Sequence, residues 1–282
     1  MNKKLIFIDI DGTLTVPGTN VPPESAQEAI RKAQAAGHKV FLCTGRNLAM
    51  LSPLLVYGFD GAVASGGGYV FCGDRVLFDC PMTPEQQEKA LRLLAENGVY
   101  RTIEAKDASY CDDGMGEFLE RISGGNSELL RWRKALEQDL GIGPIRFYDG
   151  RPIYKIVFMC ENKEQLRAAK DALEGEFNFL VQDISDGTYI NGELVNRRFD
   201  KGSGVRLVAE HLGFAREDCI GFGDSMNDLE MIQNVGVSVC MSNGSPELMK
   251  RCTKVCPSVE EDGLAAAFEE LGLTGQTATD LG

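Results

Sequence analysis

The stretch Asp9-Ile10-Asp11-Gly12-Thr13-Leu14-Thr15 follows the apolar run Leu5-Ile6-Phe7-Ile8. An unbroken apolar run bounded by Asp and Gly predicts a buried parallel strand, and open α/β sheets bind their ligands beyond the carboxyl ends of such strands. Residues i and i+2 of an extended chain project to the same side, so Asp9 and Asp11 converge on one ligand if the chain stays extended past the strand. Two carboxylates that close together require a cation or a shared proton. Taken alone, the same residues also fit a helix cap or a solvated Asp turn.

Outward from this strand the pattern alternates. Glu24 to Ala36 carries apolar residues at Ala26, Ala29, Ile30 and Ala33 and stops at Gly37, which predicts a helix. Lys39 to Cys43 predicts a strand ending at Thr44-Gly45-Arg46, and Ala49 to Val56 a further helix. Strand, helix and strand with short connections imply a right-handed parallel unit. Asp60 to Ala64 reads as a short strand, and Tyr69 to Phe78 as a hairpin around Cys72-Gly73-Asp74. From about Pro81 the character becomes α+β, with helices at Pro84 to Asn97, Glu128 to Leu140 and Lys163 to Glu174, and strands at Tyr100 to Glu104, Tyr154 to Cys160 and Phe177 to Val181. Near Glu193 to Asp200 the alternation resumes, with helices at Gly202 to Leu212, Leu229 to Gln233, Pro246 to Cys252 and Leu264 to Leu271. The strands between them are Cys219 to Phe222, Val235 to Met241 and a short one at Val255, and the tail from Thr274 is expected to fray.

Composition bounds the function. The 282 residues suffice for one large domain or two ordinary ones, and they are 43% hydrophobic and 25% charged. A net charge of -13 disfavours general binding to nucleic acid or to an acidic membrane surface, since both would repel the chain. The apolar run after Lys3-Lys4 is cut by Asp9 and Asp11 too early for a signal-peptide core, and no later segment is long and apolar enough to span a membrane. The nine cysteines form no paired framework, which suits reduced thiols and a cytoplasmic setting. Cys252 and Cys256 lack the second ligand pair that a metal site needs. His38 and His211 sit at helix ends or boundaries, where surface placement is expected.

Four strand ends or following loops carry residues suited to phosphate and a divalent cation. The first is the Asp9/Asp11 pair. The second is Thr44, whose hydroxyl suits a phosphoryl oxygen together with the amide of Gly45; a simple turn is the alternative. The third is Lys201, at the start of a helix, where a positive charge is unfavourable unless an anion lies nearby; a solvated surface lysine is the alternative. The fourth is Gly221-Phe222-Gly223-Asp224-Ser225-Met226-Asn227-Asp228. Asp228 fits the first turn of a helix as a capping residue. Asp224, in a glycine-bounded loop, is free to approach another strand end, and three carboxylates around one point call for a hard cation such as Mg²⁺.

In this order and spacing, Asp-x-Asp-x-Thr, Thr-Gly-Arg, Lys-Gly and Gly-Asp-x-x-Asn-Asp resemble the motifs of the haloacid dehalogenase (HAD) superfamily, and within it the Cof-type phosphatases with a C2B cap. The resemblance implies an α/β fold: a Rossmann-like core with a parallel sheet (residues 1–81 and 193–282) and an inserted α+β cap (82–192) that sets specificity. It implies Mg²⁺ held by Asp9, the main-chain carbonyl of Asp11 and Asp224, with Asp228 close by. Asp9 is then the nucleophile that forms an aspartyl-phosphate, and Asp11 the acid and base. Thr44, Gly45, Lys201 and Asn227 hold the phosphoryl group, and Arg46 either touches substrate or braces the acidic cluster. Thr13 is assigned to the loop that positions Asp11.

Where many relatives carry Asn-Gly-Ala after the third strand, this chain has Ser65-Gly66-Gly67-Gly68, so that asparagine's substrate contact is not carried over and a tight turn is expected. Glu193 and Asn196 fit either a substrate-facing position or a solvated strand edge. The resemblance predicts a Mg²⁺-dependent phosphatase of small phosphorylated metabolites, such as a sugar phosphate or a phosphorylated cofactor or nucleotide, acting as a monomer or homodimer. A phosphomutase of hexose phosphates shares the same motifs. A non-catalytic phospholigand sensor is disfavoured, because a binder has no use for a nucleophile beside an acid.

Overall fold

The computed structural model describes residues 2–121, 142–182 and 189–275. By contact, the chain divides into two compact units, one comprising Met1–Gly45, Pro53–Phe78 and Asp200–Gly282 and the other Arg46–Ser52 with Asp79–Phe199.

The first unit is built on an eight-stranded sheet. Numbered in chain order, its strands are β1 (Leu5–Ile8), β2 (Lys39–Cys43), β3 (Gly61–Ala64), β4 (Tyr69–Cys72), β5 (Arg75–Asp79), β12 (Cys219–Gly223), β13 (Val237–Met241) and β14 (Lys254–Cys256). Their spatial order is β14-β13-β12-β1-β2-β3-β4-β5, with parallel pairing from β14 through β3 and an antiparallel β3–β4 pair. The expected hairpin turns at Gly73-Asp74 and extends the edge.

All four residues of β1 are buried, as a strand covered on both faces requires. One face packs Leu5, Phe7, Phe41 and Val63 against Val205 and Val208 of the helix Lys201–Leu212. Towards the other, the helices Glu24–Ala35 and Gly263–Glu270 bury Ile30, Ala33 and Leu264, and Phe268 packs its ring 5.3 Å from that of Phe222. Strands β2 to β5 lie to one side of β1 and β12 to β14 to the other, so the strand order reverses between β1 and β12. Such a reversal opens a crevice at the carboxyl ends of the two strands.

The second unit has a six-stranded sheet of β6 (Tyr100–Ala105), β7 (Ser109–Cys111), β8 (Ile142–Pro144), β9 (Ile153–Cys160), β10 (Phe177–Gln182) and β11 (Ile190–Asn196), in the order β10-β11-β9-β6-β7-β8. The helices Pro84–Glu96 and Glu164–Leu173 cover one face, where Ala90, Leu94, Leu166 and Leu173 meet Ile103, Ile156, Phe158 and Leu194. A capping box between Thr83 and Gln86, with Pro84 in the first turn, starts the first of these helices.

Several expectations are revised. The return to the first unit falls after Phe199, later than position 193, because β11 is hydrogen-bonded between β9 and β10 and belongs wholly to the second sheet. The helix expected from Ala49 to Val56 is an α-turn at Leu48–Leu51 followed by a 3-10 segment at Ser52–Tyr57. Residues 46–52 group with the second unit, where Asn47 Nδ2 donates to the Ala105 carbonyl and to Ser109 Oγ. His38, expected on the surface, is 3% exposed: Nδ1 accepts the Lys4 backbone N–H at 2.8 Å, which draws the ring into the sheet's entry edge. His211 is exposed as expected. Glu193 and Asn196 are not at a solvated edge: Asn196 is buried, and Glu193 accepts from Lys155 Nζ at 2.7 Å. The helix expected at Glu128 to Leu140 and the tail beyond residue 275 lie outside the described residues. All nine cysteines are free thiols. Among the described residues no helix is long and apolar enough to cross a membrane.

Candidate active site

The chain leaves β1 beside β12, with the Asp9 N–H donating to the Phe222 carbonyl at 2.9 Å. It then tightens: Leu14 and Thr15 N–H both donate to the Ile10 carbonyl, and Gly12 N–H to the Thr15 carbonyl. The chain therefore turns immediately after Asp9 rather than running on as a strand. The Asp11 carboxylate is anchored on its own loop, Oδ1 accepting the Gly18 N–H at 3.3 Å, and its charge acts on both Asp9 and Asp224. Gly12 sits at φ +91°, and a Cβ there would come within 2.5 Å of Asp224 Oδ2, so only glycine lets the two loops approach.

The acidic group that does assemble is Asp9, Asp224 and Asp228, each offering a carboxylate oxygen within 4.8 Å of the others. Lys201 lies among them, with Nζ 2.7 Å from Asp9 Oδ1, 2.6 Å from Asp228 Oδ1 and 3.4 Å from Asn227 Oδ1. The lysine at the positive helix end thus faces carboxylates rather than solvent, and it is 4% exposed. Its helix is capped by Asp200, whose side chain accepts the Ser203 N–H while Ser203 Oγ accepts the Asp200 N–H. Asp228 is fully buried, and its Oδ2 accepts the N–H groups of Asp224 and Ser225. Thr13 Oγ1 reaches Asp224 Oδ1 at 3.5 Å, so this buried threonine ties the first loop to the fourth. Asn227 is exposed, and its Oδ1 also accepts from Ser225 Oγ.

Charge in this group is unbalanced. Burial, then repulsion from Asp228, holds the Asp9 carboxyl above its ordinary value despite the Lys201 ammonium. Burial and the charges of Asp9 and Asp228 raise Asp224 in the same way. Burial pulls the Lys201 ammonium down, but Asp228 and Asp9 outweigh it and hold it well above the ordinary lysine value. Three carboxylates share one ammonium. Their hard oxygen donors and excess negative charge fit Mg²⁺, and a divalent cation would relieve the upward pressure on Asp9 and Asp224.

Thr44 is buried at the end of β2, its N–H donating to the Val63 carbonyl and its carbonyl accepting from Gly66 N–H. The neighbouring Cys43 thiol is pushed up by burial, with the charges of Lys201, Asp228 and Asp9 acting on it. The Ser65-Gly66-Gly67-Gly68 segment is the expected tight turn, a 3-10 segment in which Gly67 has φ +106° and a Cβ would meet the Asp200 carbonyl at 2.2 Å. Arg46 groups with the second unit, where its Nη1 donates to the Met50 carbonyl at 3.4 Å.

Sequence reasoning missed three supporting residues: Asp200, Asn243 and Ser245. Asn243 Nδ2 donates to the Gly12 carbonyl at 2.9 Å, and Ser245 N–H to the Asp224 carbonyl at 2.6 Å. Both lie in Ser242-Asn243-Gly244-Ser245, a polar, glycine-bearing loop at the carboxyl end of β13, and that placement is the signal that could have found them. For Asp200 the signal is a serine three residues on, at a helix start.

The profile of the haloacid dehalogenase-like hydrolases matches residues 6–268. Among curated proteins, the chain is 30% identical to 5-amino-6-(5-phospho-D-ribitylamino)uracil phosphatase YwtE of Bacillus subtilis, over 98% of this chain and 100% of that protein. It is 28% identical to a phosphoglycolate phosphatase of Methanothermobacter thermautotrophicus, over 94% and 96% of the two chains. Among solved structures, a haloacid dehalogenase-like hydrolase from B. subtilis superposes with a TM-score of 0.78 at 23% identity, covering 95% of this chain and 99% of that one.

Proposed function

Because the chain belongs to the haloacid dehalogenase-like hydrolases, we propose that it is a Mg²⁺-dependent phosphatase that hydrolyses phosphate monoesters of small metabolites through an aspartyl-phosphate on Asp9. The observation that carries this reading is the meeting of Asp9, Asp224 and Asp228 around buried Lys201, at the strand ends where the sheet order reverses. The substrate class follows from the relatives, one named for a phosphorylated ribitylaminouracil and one for phosphoglycolate.

Phosphoryl transfer needs an aligned nucleophile, neutralised equatorial oxygens and a proton for the leaving oxygen. Asp9 attacks phosphorus as the ester P–O bond breaks, and the Asp11 carboxyl gives its proton to the departing alkoxide. In the second half, Asp11 takes a proton from a water that attacks the acyl phosphate, the P–O bond to Asp9 breaks, and the Asp9 carboxylate is restored. Lys201, the Thr44 hydroxyl, the Gly45 amide and Asn227 hold the phosphoryl oxygens. Asp9, the Asp11 carbonyl and Asp224 would hold Mg²⁺, with Asp228 close by, and the bound ion would supply positive charge against the carboxylates and the phosphoryl group. The inserted second unit acts as the cap that selects the leaving group.

Phosphate release across sugar phosphates, nucleotides and phosphorylated cofactors, with Mg²⁺ or with chelator, tests this reading. Release is expected only with Mg²⁺, and Asp9→Asn is expected to fold normally and release nothing above background. Ordinary turnover by Asp9→Asn would remove the nucleophile from the scheme.

A further inference from the structure

The loop after β13 touches both strand ends of the proposed site, although no step of the reaction uses it. Its Ser245 N–H donates to the Asp224 carbonyl, and a Cβ on Gly244 would lie 2.4 Å from that same oxygen. Its Asn243 spans two partners: Nδ2 donates to the Gly12 carbonyl at 2.9 Å, and Oδ1 accepts the Val259 N–H at 3.3 Å. Gly12 is the residue next to Asp11, and its positive φ marks a turn that glycine alone holds without strain. Upstream of Asp11 the chain is fixed by the Asp9 N–H on the Phe222 carbonyl. Downstream, the bond from Asn243 is the hold on Gly12 that comes from another loop. Asn243 is itself exposed, so its side chain adds little to the core, and its effect must pass through these two hydrogen bonds.

We propose that Asn243 is a positioning residue that pins the Gly12 carbonyl and so sets where the Asp11 carboxyl stands as acid and base. This rests on the phosphatase reading above. With the pin gone, the Gly12–Thr13 peptide is held only by the long Thr13 N–H bond to the Ile10 carbonyl at 3.3 Å, and Asp11 drifts from the leaving oxygen. Misplacement by about 1 Å costs on the order of 100-fold in rate.

Asn243→Asp separates this role from a merely structural one, because the carboxylate still accepts the Val259 N–H but has nothing to donate to Gly12. The expected result is a fall of roughly 10- to 100-fold in kcat on an alkyl phosphate with KM little changed. A much smaller fall is expected on an aryl phosphate, whose phenolate leaves without an acid's help, with no change in Tm. Hydrogen exchange gives a readout independent of turnover: amides within residues 10–15 should exchange faster in both Asn243→Asp and Asn243→Ala. Unchanged exchange across residues 10–15 would overturn the proposal, as would equal losses on both esters accompanied by a lowered Tm. A wild-type protein that releases no phosphate from any ester would sink the phosphatase reading instead, and the exchange comparison would then decide the tether alone.

Discussion

Lys201 in the first unit and Lys155 in the second are both 4% exposed, and each contacts two carboxylates. Their surroundings differ. Lys155 and Glu104 face each other in register across β9 and β6, and Glu193 comes from the adjacent β11, so this group is carried entirely on paired strands. The Lys201 group is carried on loops: Asp9 just past β1, Asp228 in the turn after β12, and Asp224 beside them as a third carboxylate. Glycines admit those loops to one another, and backbone N–H groups fix Asp228. One strand-borne lysine beside two glutamates leaves a single formal negative charge over. A lysine at a helix start beside three loop-borne aspartates leaves two, which a bound divalent cation is suited to meet.

The largest effect that separates the two groups should come from removing each lysine. Lys201→Met is expected to lower phosphate release by about 100- to 1,000-fold, the usual cost of losing one preorganised donor to a developing charge. Lys155→Met should cost stability alone, about 3–5 kcal/mol, because it leaves buried carboxylate charge without its partner. Mg²⁺ sharpens the contrast. It should raise the Tm of Lys201→Met more than that of the wild type, since the cation answers the same carboxylates, and it should give Lys155→Met no more than the wild-type increment. Equal Mg²⁺ responses in the two variants, followed by scanning calorimetry, would erase the distinction drawn between the groups.

A smaller effect concerns pH. Asp9 and Asp224 hold their protons above the ordinary carboxylate value of 3.8 when no cation is present. An acid whose folded-state pKa is raised contributes stability that is complete below the unfolded value and is lost as pH climbs through the folded one. In chelator the Tm contribution of these two groups should therefore fall as pH rises from about 4 towards 8. Because Mg²⁺ favours the ionised carboxylates, the increment in Tm that it gives should be larger at about pH 8 than at about pH 5. An increment independent of pH would mean that the cation does not bind this acidic group.

What could be read from the chain divides along the same line. The strands of the first unit are buried on both faces, so β1 and β12 appear as continuous apolar runs, and the polar loops at their ends stand out against them. Asp9, Thr44, Lys201, Asp224 and Asp228 were legible for that reason. The pairing of Ile8 with Phe222 joins residues from opposite ends of the chain, and no local pattern encodes it. The tight turn at Ile10 was not legible either: apolar spacing gives a strand's length but not the hydrogen bonds that end it. In the second unit several strands and helices were legible, but the partnership of Glu104, Lys155 and Glu193 depends on register across three strands. The same dependence placed the return to the first unit too early, because β11 reads as polar and yet lies inside its sheet.

His38 supplies the smallest test, on a buried titratable group that belongs to neither lysine cluster. Its Nδ1 accepts the Lys4 N–H at 2.8 Å, so the ring is neutral with its proton on Nε2, and among the described residues that nitrogen has no hydrogen-bond partner. Burial, and then the Lys4 ammonium, hold its pKa below the ordinary 6.5. Folding therefore excludes a proton that the unfolded chain binds, and the stability this provides is complete above 6.5 and is lost as pH falls below that value towards the depressed folded-state one. Protonating Nδ1 would break the bond to Lys4, a loss of about 1 kcal/mol. His38→Asn offers an amide oxygen to the same N–H without a titration, so its denaturation midpoint should fall less than the wild type's between about pH 7.5 and about pH 5. The carboxylates contribute equally to both proteins and cancel in the comparison. Parallel midpoints over that range would show that the imidazole does not titrate as its burial requires.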